Sequence, residues 1–258
     1  MAILLTLGFA MTSAHAQEPV RLYAAGSLRA ALDAAARAFT ETKVQAVYGA
    51  SGLLRERIAK GEPAEVFASA NMEHPQSLEK AGRAGPVKLF ARNRLCALTS
   101  GIDVKGENLL DRMLDPAVKL GTSTPKADPS GDYAWELFEK AEKLRPGSFQ
   151  KLSAKALKLV GGPDSPQAAP GRTVYGMLLA QGKADIFLTY CTNALQAREE
   201  NRSFRIVEVP APLAVGADYG LTVIKGARPQ AERFAQFILS RPGQDILEKH
   251  GFTPGEPR

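Results

Sequence analysis

The chain has 258 residues, of which 45% are hydrophobic, and this allows one large folded domain or two modest ones. The formal net charge of +6 favours small anionic partners, but no run of Lys and Arg with interleaved aromatic residues indicates a nucleic-acid partner. After the first residues, no segment is long and apolar enough to predict a membrane span.

The first sixteen residues have the pattern of a secretory leader. An apolar stretch from Met1 to Met11 precedes Ala14-His15-Ala16, which is the small-x-small motif that signal peptidases cleave. A basic start is missing, so the apolar N-terminus of a cytosolic protein is the alternative. We predict a signal peptide at residues 1–16, export to the periplasm, and a mature chain that begins near Gln17.

Strand-like and helix-like patterns then alternate along the chain. Strands are predicted at residues 20–25, 44–48, 65–68, 87–90, 95–98, 117–120, 184–190, 204–209 and 221–224. Helices are predicted at residues 28–39, 53–58, 109–114, 133–141, 173–181, 230–239 and 243–248. This alternation predicts an α/β fold with mainly parallel sheets flanked by helices. A Pro- and Gly-rich loop at residues 160–171 is long enough to be functional or mobile.

Three junctions between a loop and a helix have the same design. They are Gly26-Ser27, Ala50-Ser51-Gly52 and Asp128-Pro129-Ser130-Gly131. Each places small or hydroxyl residues beside backbone N–H groups that lack helical partners, which suits an anion. An ordinary N-cap has the same appearance, so one junction alone decides nothing. All three follow the C-terminal ends of predicted strands, where open α/β sheets bind ligands, and together they are more suggestive.

Enzyme and metal motifs are absent from the sequence. Leu53 breaks a G-x-S-x-G pattern around Ser51, and no His and Cys residues are spaced to hold a metal. Asp128 and Asp132 lie about one helical turn apart, and we expect both carboxylates to be solvated in a first helical turn.

The two cysteines, Cys96 and Cys191, form an even pair, which in an oxidising compartment favours a disulfide. Two buried free thiols are the alternative. A thiol nucleophile is a third possibility, but it needs a basic partner, and the mature chain offers only His74 and His250.

Several segments, in the same order, resemble periplasmic molybdate-binding proteins, the soluble receptors of molybdate ABC importers. The segments are residues 22–31 (LYAAGSLRAA), 48–54 (YGASGLL), 63–70 (PAEVFASA), 128–134 (DPSGDYA), 182–190 (GKADIFLTY) and 251–252 (GF). Each match is short, but together they span most of the mature chain. The resemblance implies a two-lobed, type II periplasmic-binding fold hinged by crossing strands. Lobe 1 would be residues 17–94 and 223–258, and lobe 2 residues 95–222.

The resemblance also implies the ligand set. An oxyanion would be held by the hydroxyls of Ser27 and Ser51 from lobe 1. Lobe 2 would contribute the backbone N–H groups of Ser130 and Arg172 and the hydroxyl of Tyr190. Arg172 stands where the family has a small apolar residue, so its charge could reach the ligand or form a surface ion pair. Ser130 replaces a common Ala, and Cys191 directly after Tyr190 is atypical.

We therefore expect a non-enzymatic, monomeric binding protein that captures molybdate or tungstate and delivers it to a membrane permease. No cofactor and no nucleic acid are predicted, because the ligand is the anion itself. The first alternative is another small anion on the same fold: sulfate, phosphate or an organic carboxylate. Further alternatives are a ferric-iron receptor, the sensing domain of a transcription regulator, and a transferase with the same two-lobed frame.

Overall fold

We describe the protein from a computed structural model, in which residues 18–169 and 172–255 are described. The predicted signal peptide at residues 1–16 lies outside the described residues. Within them, no helix has the length and apolar character needed to cross a membrane.

The observed strands and helices keep the predicted alternation and add elements that the sequence did not predict, namely helices at residues 73–80, 148–155 and 191–200 and strands at residues 157–160 and 253–254. The strands are β1 Val20–Ala25, β2 Val44–Gly49, β3 Val66–Ser69, β4 Lys88–Thr99, β5 Leu120–Ser123, β6 Leu157–Val160, β7 Ile186–Tyr190, β8 Arg205–Glu208, β9 Gly216–Val223 and β10 Thr253–Pro254. The helices are α1 Arg29–Ala38, α2 Ser51–Ala59, α3 Glu73–Lys80, α4 Leu109–Leu114, α5 Pro129–Leu144, α6 Ser148–Lys155, α7 Val174–Ala180, α8 Cys191–Glu200, α9 Pro229–Leu239 and α10 Arg241–Lys249. A short 3-10 helix, Gly26–Leu28, leads from β1 into α1.

The strands form two sheets that share β4. In the first sheet, β1 lies between β2 and β3 in parallel, and β9 joins antiparallel to β3 and to the first part of β4. In the second sheet, β5 pairs in parallel with β6 and β7, while β7 and β8 pair antiparallel with the second part of β4. Because one strand serves both sheets, β4 crosses from one half of the molecule to the other.

β4 differs from the sequence prediction, which had two strands at residues 87–90 and 95–98. The intervening residues, Ala91 to Arg94, include three polar residues that break the apolar pattern, yet they continue the pairing with β9. Arg92 and Asn93 are only partly buried because the strand is leaving one sheet for the other at this point. The predicted lobe boundaries at 94/95 and 222/223 fall within β4 and near the end of β9, and that division stays a prediction.

The first sheet is anchored by a buried carboxylate. Glu65, 2% exposed, receives hydrogen bonds from Arg228 Nε at 2.7 Å and Nη2 at 2.6 Å, and from the backbone N–H of Arg21 at 3.0 Å. The Arg228 guanidinium lowers the pKa of Glu65 to about 2. This ion pair ties the residue before β3 to the start of α9, on the side of β3 away from Ser69 and Ala70.

Candidate functional site

A cavity of about 540 Å³ lies between the two sheets and is bounded by residues of both. The half of the molecule that contains the first sheet, called the first half below, contributes Gly26, Ser27, Tyr48 and Ala50, among others. The opposite wall comes from the second half, which contains the second sheet. Its lining residues are 160–163, 165–169, 172–175 and 190 together with Asp128, Asn193 and Gln196. A ligand in this cavity would contact both halves.

Helices begin at this cavity from both sides. The N-cap residues of α2, α5 and α8, which are Ala50, Asp128 and Tyr190, all line it. Gly26 and Ser27, in the 3-10 helix that leads into α1, line it as well. The structure thus brings the three loop-to-helix junctions singled out in the sequence to one place. A helix start carries a partial positive charge, so the cavity suits an anion.

Ser27 lies in the cavity wall with its hydroxyl oriented by β9. Its Oγ is 3.0 Å from the hydroxyl of Tyr219, which is fully buried in β9 and also receives a 3.4 Å hydrogen bond from Asn93 Nδ2. The sequence prediction missed Tyr219 and Asn93. Tyr219 fell outside the predicted strand 221–224, although β9 begins five residues earlier at Gly216.

Ser51 lies just behind the wall, because its neighbour Ala50 lines the cavity and Ser51 itself is 1% exposed. Its Oγ accepts the backbone N–H of Ala70 at 3.1 Å. The next residue, Gly52, donates its backbone N–H to the carbonyl oxygen of Ala127 at 2.9 Å. That hydrogen bond joins the start of α2 to the loop before α5, so the two halves are in direct contact here.

Ser130 is also buried behind the wall. Its Oγ is fully shielded from solvent and has no hydrogen-bond partner among the described residues. Its backbone N–H, the predicted anion donor, is donated to Asp128 Oδ1 at 3.1 Å.

Asp128 corrects the expectation that both carboxylates at this junction are solvated. Asp132 accepts the backbone N–H of Lys126 at 2.7 Å, but Asp128 caps α5 and lies in the cavity wall. Exclusion of water raises the pKa of Asp128 to about 6, and the nearby charge of Asp132 contributes in the same direction. The sequence therefore identified this junction but not its acid.

Tyr190 ends β7 at the cavity. It is 2% exposed, and its hydroxyl has no hydrogen-bond partner among the described residues. The ring packs edge-on against Tyr133 and Tyr219, with centroids 6.3 and 5.6 Å away. Burial raises the pKa of Tyr190 well above its ordinary value, so the group stays a neutral hydroxyl that can donate a hydrogen bond.

The side chain of Arg172 is turned toward Glu200 rather than into the cavity. The side chain is 63% exposed, and Nε lies 3.1 Å from Glu200 Oε2, as in the surface ion pair considered from the sequence. Its backbone N–H is donated to the carbonyl oxygen of Ala169 at 3.0 Å, within the loop that covers the cavity. Of the five predicted ligand residues, Ser27, Tyr190 and part of Arg172 line the cavity, while Ser51 and Ser130 lie behind it.

Cys96 and Cys191 are joined in a disulfide with an S–S distance of 1.97 Å. Cys96 lies in the second part of β4, and Cys191 is the first residue of α8, directly after Tyr190. The bond therefore connects the crossing strand to the helix start that presents Tyr190. In the described part of the chain, no group of three or more His, Cys, Asp or Glu is placed to hold a metal ion.

Comparison with known proteins gives the family. The family model for bacterial extracellular solute-binding proteins matches residues 20–253. The chain belongs to this family. The uncharacterized protein PM1146 of Pasteurella multocida is 37% identical over 241 residues, covering 91% of this chain and 98% of that protein. Members of the family are transport components that work with ABC importers outside the cytoplasm, rather than enzymes.

Solved structures show the same fold. The periplasmic molybdate-binding protein of Azotobacter vinelandii superposes with a TM-score of 0.73 at 20% identity, covering 93% of this chain and 100% of that one. The sulfate-binding protein SubI of Mycobacterium tuberculosis superposes with a TM-score of 0.75 at 18% identity, covering 93% and 88%. The predicted type II periplasmic-binding fold is confirmed.

Proposed function

We propose that this solute-binding protein captures a small oxyanion, molybdate or tungstate, between two lobes and delivers it to the permease of an ABC importer. The observation that carries the proposal is the convergence of the starts of α2, α5 and α8 on one cavity. Backbone N–H groups at helix starts favour an anion without supplying a formal positive charge.

Hydroxyl groups complete this donor set. Ser27 and Tyr190 line the cavity from opposite halves of the molecule, and Tyr190 has no other hydrogen-bond partner among the described residues. A hydrogen bond from a neutral donor to a charged oxygen contributes about 1.5–3 kcal/mol. Three or four such hydrogen bonds give enough favourable interaction free energy for tight binding, before the entropy lost when the ligand and side chains are immobilised is subtracted.

The fold offers a means of closure. β4 runs through both sheets, and the contact between Gly52 N–H and Ala127 O joins the two halves beside the cavity. A ligand that touches Ser27 and Tyr190 together would favour the state in which these contacts are made, and so shift a hinge equilibrium.

The size of the cavity favours a second candidate, an anion that carries an organic group. About 540 Å³ is the volume of roughly 18 water molecules at about 30 Å³ each, much more than a five-atom anion fills. Gln167 and Gln196 in the wall are neutral hydrogen-bonding groups suited to such a substituent. An organic carboxylate is therefore the alternative ligand, with sulfate and phosphate as the smaller ones.

Titration calorimetry of the purified exported protein tests the proposal. Molybdate, tungstate, sulfate, phosphate and a small organic carboxylate would be added in separate titrations. Tight binding of molybdate and tungstate alone is expected. Binding of the carboxylate instead would favour the second candidate, and a protein that binds no anion would overturn the proposal.

Tyr190→Phe identifies the site in the same assay. Loss of the hydroxyl should weaken anion binding at least tenfold, which corresponds to about 1.4 kcal/mol. Tyr23→Phe is the matched control, because Tyr23 donates its hydroxyl hydrogen bond to Glu62 and does not line the cavity. Equal affinities of the two variants would remove Tyr190 from the ligand set.

A further inference from the structure

A carboxyl group is an unexpected member of an anion-binding wall. Asp128 lines the cavity at the start of α5. Its negative charge opposes the partial positive charge that the helix start would otherwise present to the ligand. Its Oδ1 accepts the Ser130 N–H at 3.1 Å. Its other side is covered by Gly161, since a Cβ atom on that residue would lie 2.7 Å from Oδ2. Loop backbone thus lies directly on the carboxyl.

The groups around Asp128 do not neutralise it. Asp132 lies one turn further along α5 and adds negative charge, while Tyr175 of α7 and Tyr190 at the end of β7 are near enough for their pKa values to be raised by Asp128. Lys126, on the preceding loop, is near Asp132. No Lys, Arg or His within residues 18–169 and 172–255 forms an ion pair with Asp128. Arg29, Arg57 and Arg172 also line the cavity, but none of them forms an ion pair with Asp128. An anion placed directly beside the Asp128 carboxylate would therefore be repelled by it.

We propose that binding depends on the protonation state of Asp128 and of the ligand together. In the complex, one proton lies between the Asp128 carboxyl and a ligand oxygen. The inference rests on the proposed anion-binding function. A fully ionised dianion such as sulfate or molybdate binds with a proton that Asp128 takes from solvent and donates. A hydrogen-bearing anion such as hydrogen phosphate brings the proton, and ionised Asp128 accepts the hydrogen bond.

The expected size of the effect follows from the pKa of about 6. If only the protonated carboxyl admits a dianion, affinity falls about tenfold for each pH unit above 6, because each unit leaves tenfold fewer protonated molecules. Sulfate remains a dianion throughout this range, so its binding reports on the protein alone. Between pH 6, where about half of the carboxyls are protonated, and pH 8, where about 1% are, its affinity should fall about 50-fold.

Calorimetry in two buffers of different ionisation enthalpy measures the proton directly. At pH 7.5, sulfate or molybdate should bind wild-type protein with uptake of about one proton. Asp128→Asn should bind both dianions without proton uptake and at least tenfold more tightly at pH 8. Phosphate should bind this variant more weakly than it binds wild type, because the charged acceptor for its proton is gone.

Asp132→Asn is the matched control, since Asp132 lies on the same helix but does not line the cavity, and it should retain the proton uptake. Asparagine caps helices as well as aspartate does, so Asp128→Asn should fold, which a thermal melt checks. Dianion binding to wild type without proton uptake overturns the inference alone. If sulfate, molybdate and phosphate all fail to bind, the proposed function fails and the inference fails with it.

Discussion

Two carboxyl groups, Glu65 buried and Asp128 half-buried, each stand directly before a β-strand or helix and have opposite environments. Glu65 at the back of the first sheet is held by two of the three guanidinium nitrogens of Arg228 and has a pKa of about 2. Asp128 in the cavity wall has one backbone N–H, a second acid nearby and a pKa of about 6. The carboxylate that stabilises the fold therefore has a cationic partner, whereas Asp128 forms no ion pair among the described residues, although Arg29, Arg57 and Arg172 also line the cavity.

This difference distinguishes a carboxylate that stabilises the fold, Glu65, from one that lies in the wall of the cavity, Asp128. A paired carboxylate contributes to stability at neutral pH, whereas a carboxylate without an ion-pair partner in a partly buried site costs stability, which the N-cap hydrogen bond from Ser130 to Asp128 offsets in part. The buried hydroxyls of Ser130 and Tyr190, near Asp128, are likewise without partners among the described residues. Two unpaired buried hydroxyls thus lie near Asp128, while other unpaired buried groups, such as His74 Nε2 and Thr42 Oγ1, lie elsewhere in the described residues.

Glu65→Gln is expected to cause the largest loss of stability among these variants. Removing the charge leaves the Arg228 guanidinium without its main partner, and the free energy of unfolding at pH 7 should fall by about 3 kcal/mol. Because the folded-state pKa of Glu65 is lowered, its contribution is present above the ordinary value of 4.5 and is lost as pH falls toward 2. Urea unfolding between pH 3 and pH 7 measures both effects.

Anion affinity is the control for Glu65→Gln. Glu65 does not line the cavity, so calorimetric binding at pH 7 should match wild type. A large loss of affinity in a folded variant would show that the two regions are coupled, contrary to the comparison.

The sequence predicted what is local and missed what depends on distant partners. The alternation of elements and the junctions at Ser27 and Ser51 could be identified because each is encoded in a few adjacent residues. The partner of Glu65, in contrast, is 163 positions away. Asp128 was expected to be solvated because the Gly161 loop that covers it is also distant in sequence. No spacing pattern carries that information.

Helix α8 was missed for a different reason. Its residues, Cys191 to Glu200, do not segregate polar and apolar side chains on opposite faces, so the helical period is not visible in the sequence. Tyr190 was predicted from the resemblance to molybdate-binding proteins, as the end of a strand. Its second role as the residue that begins a helix at the cavity came only from the structure.

Gly161→Ala should expose the Asp128 carboxyl to water. Gly161 has φ of 79° and its Cβ would lie 2.4 Å from Asp128 Cβ, so the loop must shift. We expect a loss of about 1–2 kcal/mol in unfolding free energy. Water would then reach the carboxyl and its pKa should fall toward the ordinary value of 3.8. NMR titration of the Asp128 carboxyl measures that shift, and Gly147→Ala, with open space around its Cβ, controls for positive φ.

Asp128→Asn should produce the smallest change in stability, and in the opposite direction to Glu65→Gln. Because the folded-state pKa of Asp128 is raised, the folded protein binds more protons than the unfolded chain between about pH 4 and 6, and stability falls as pH rises through that window. The neutral amide removes this cost, so the variant should be more stable than wild type by about 1 kcal/mol at pH 7, after the lost interaction of the charge with the helix start is subtracted. The gain should disappear near pH 4, where wild-type Asp128 is protonated. Urea unfolding at pH 4 and pH 7 measures the difference, and a variant less stable than wild type at pH 7 would mean that the carboxylate stabilises the helix more than its burial costs.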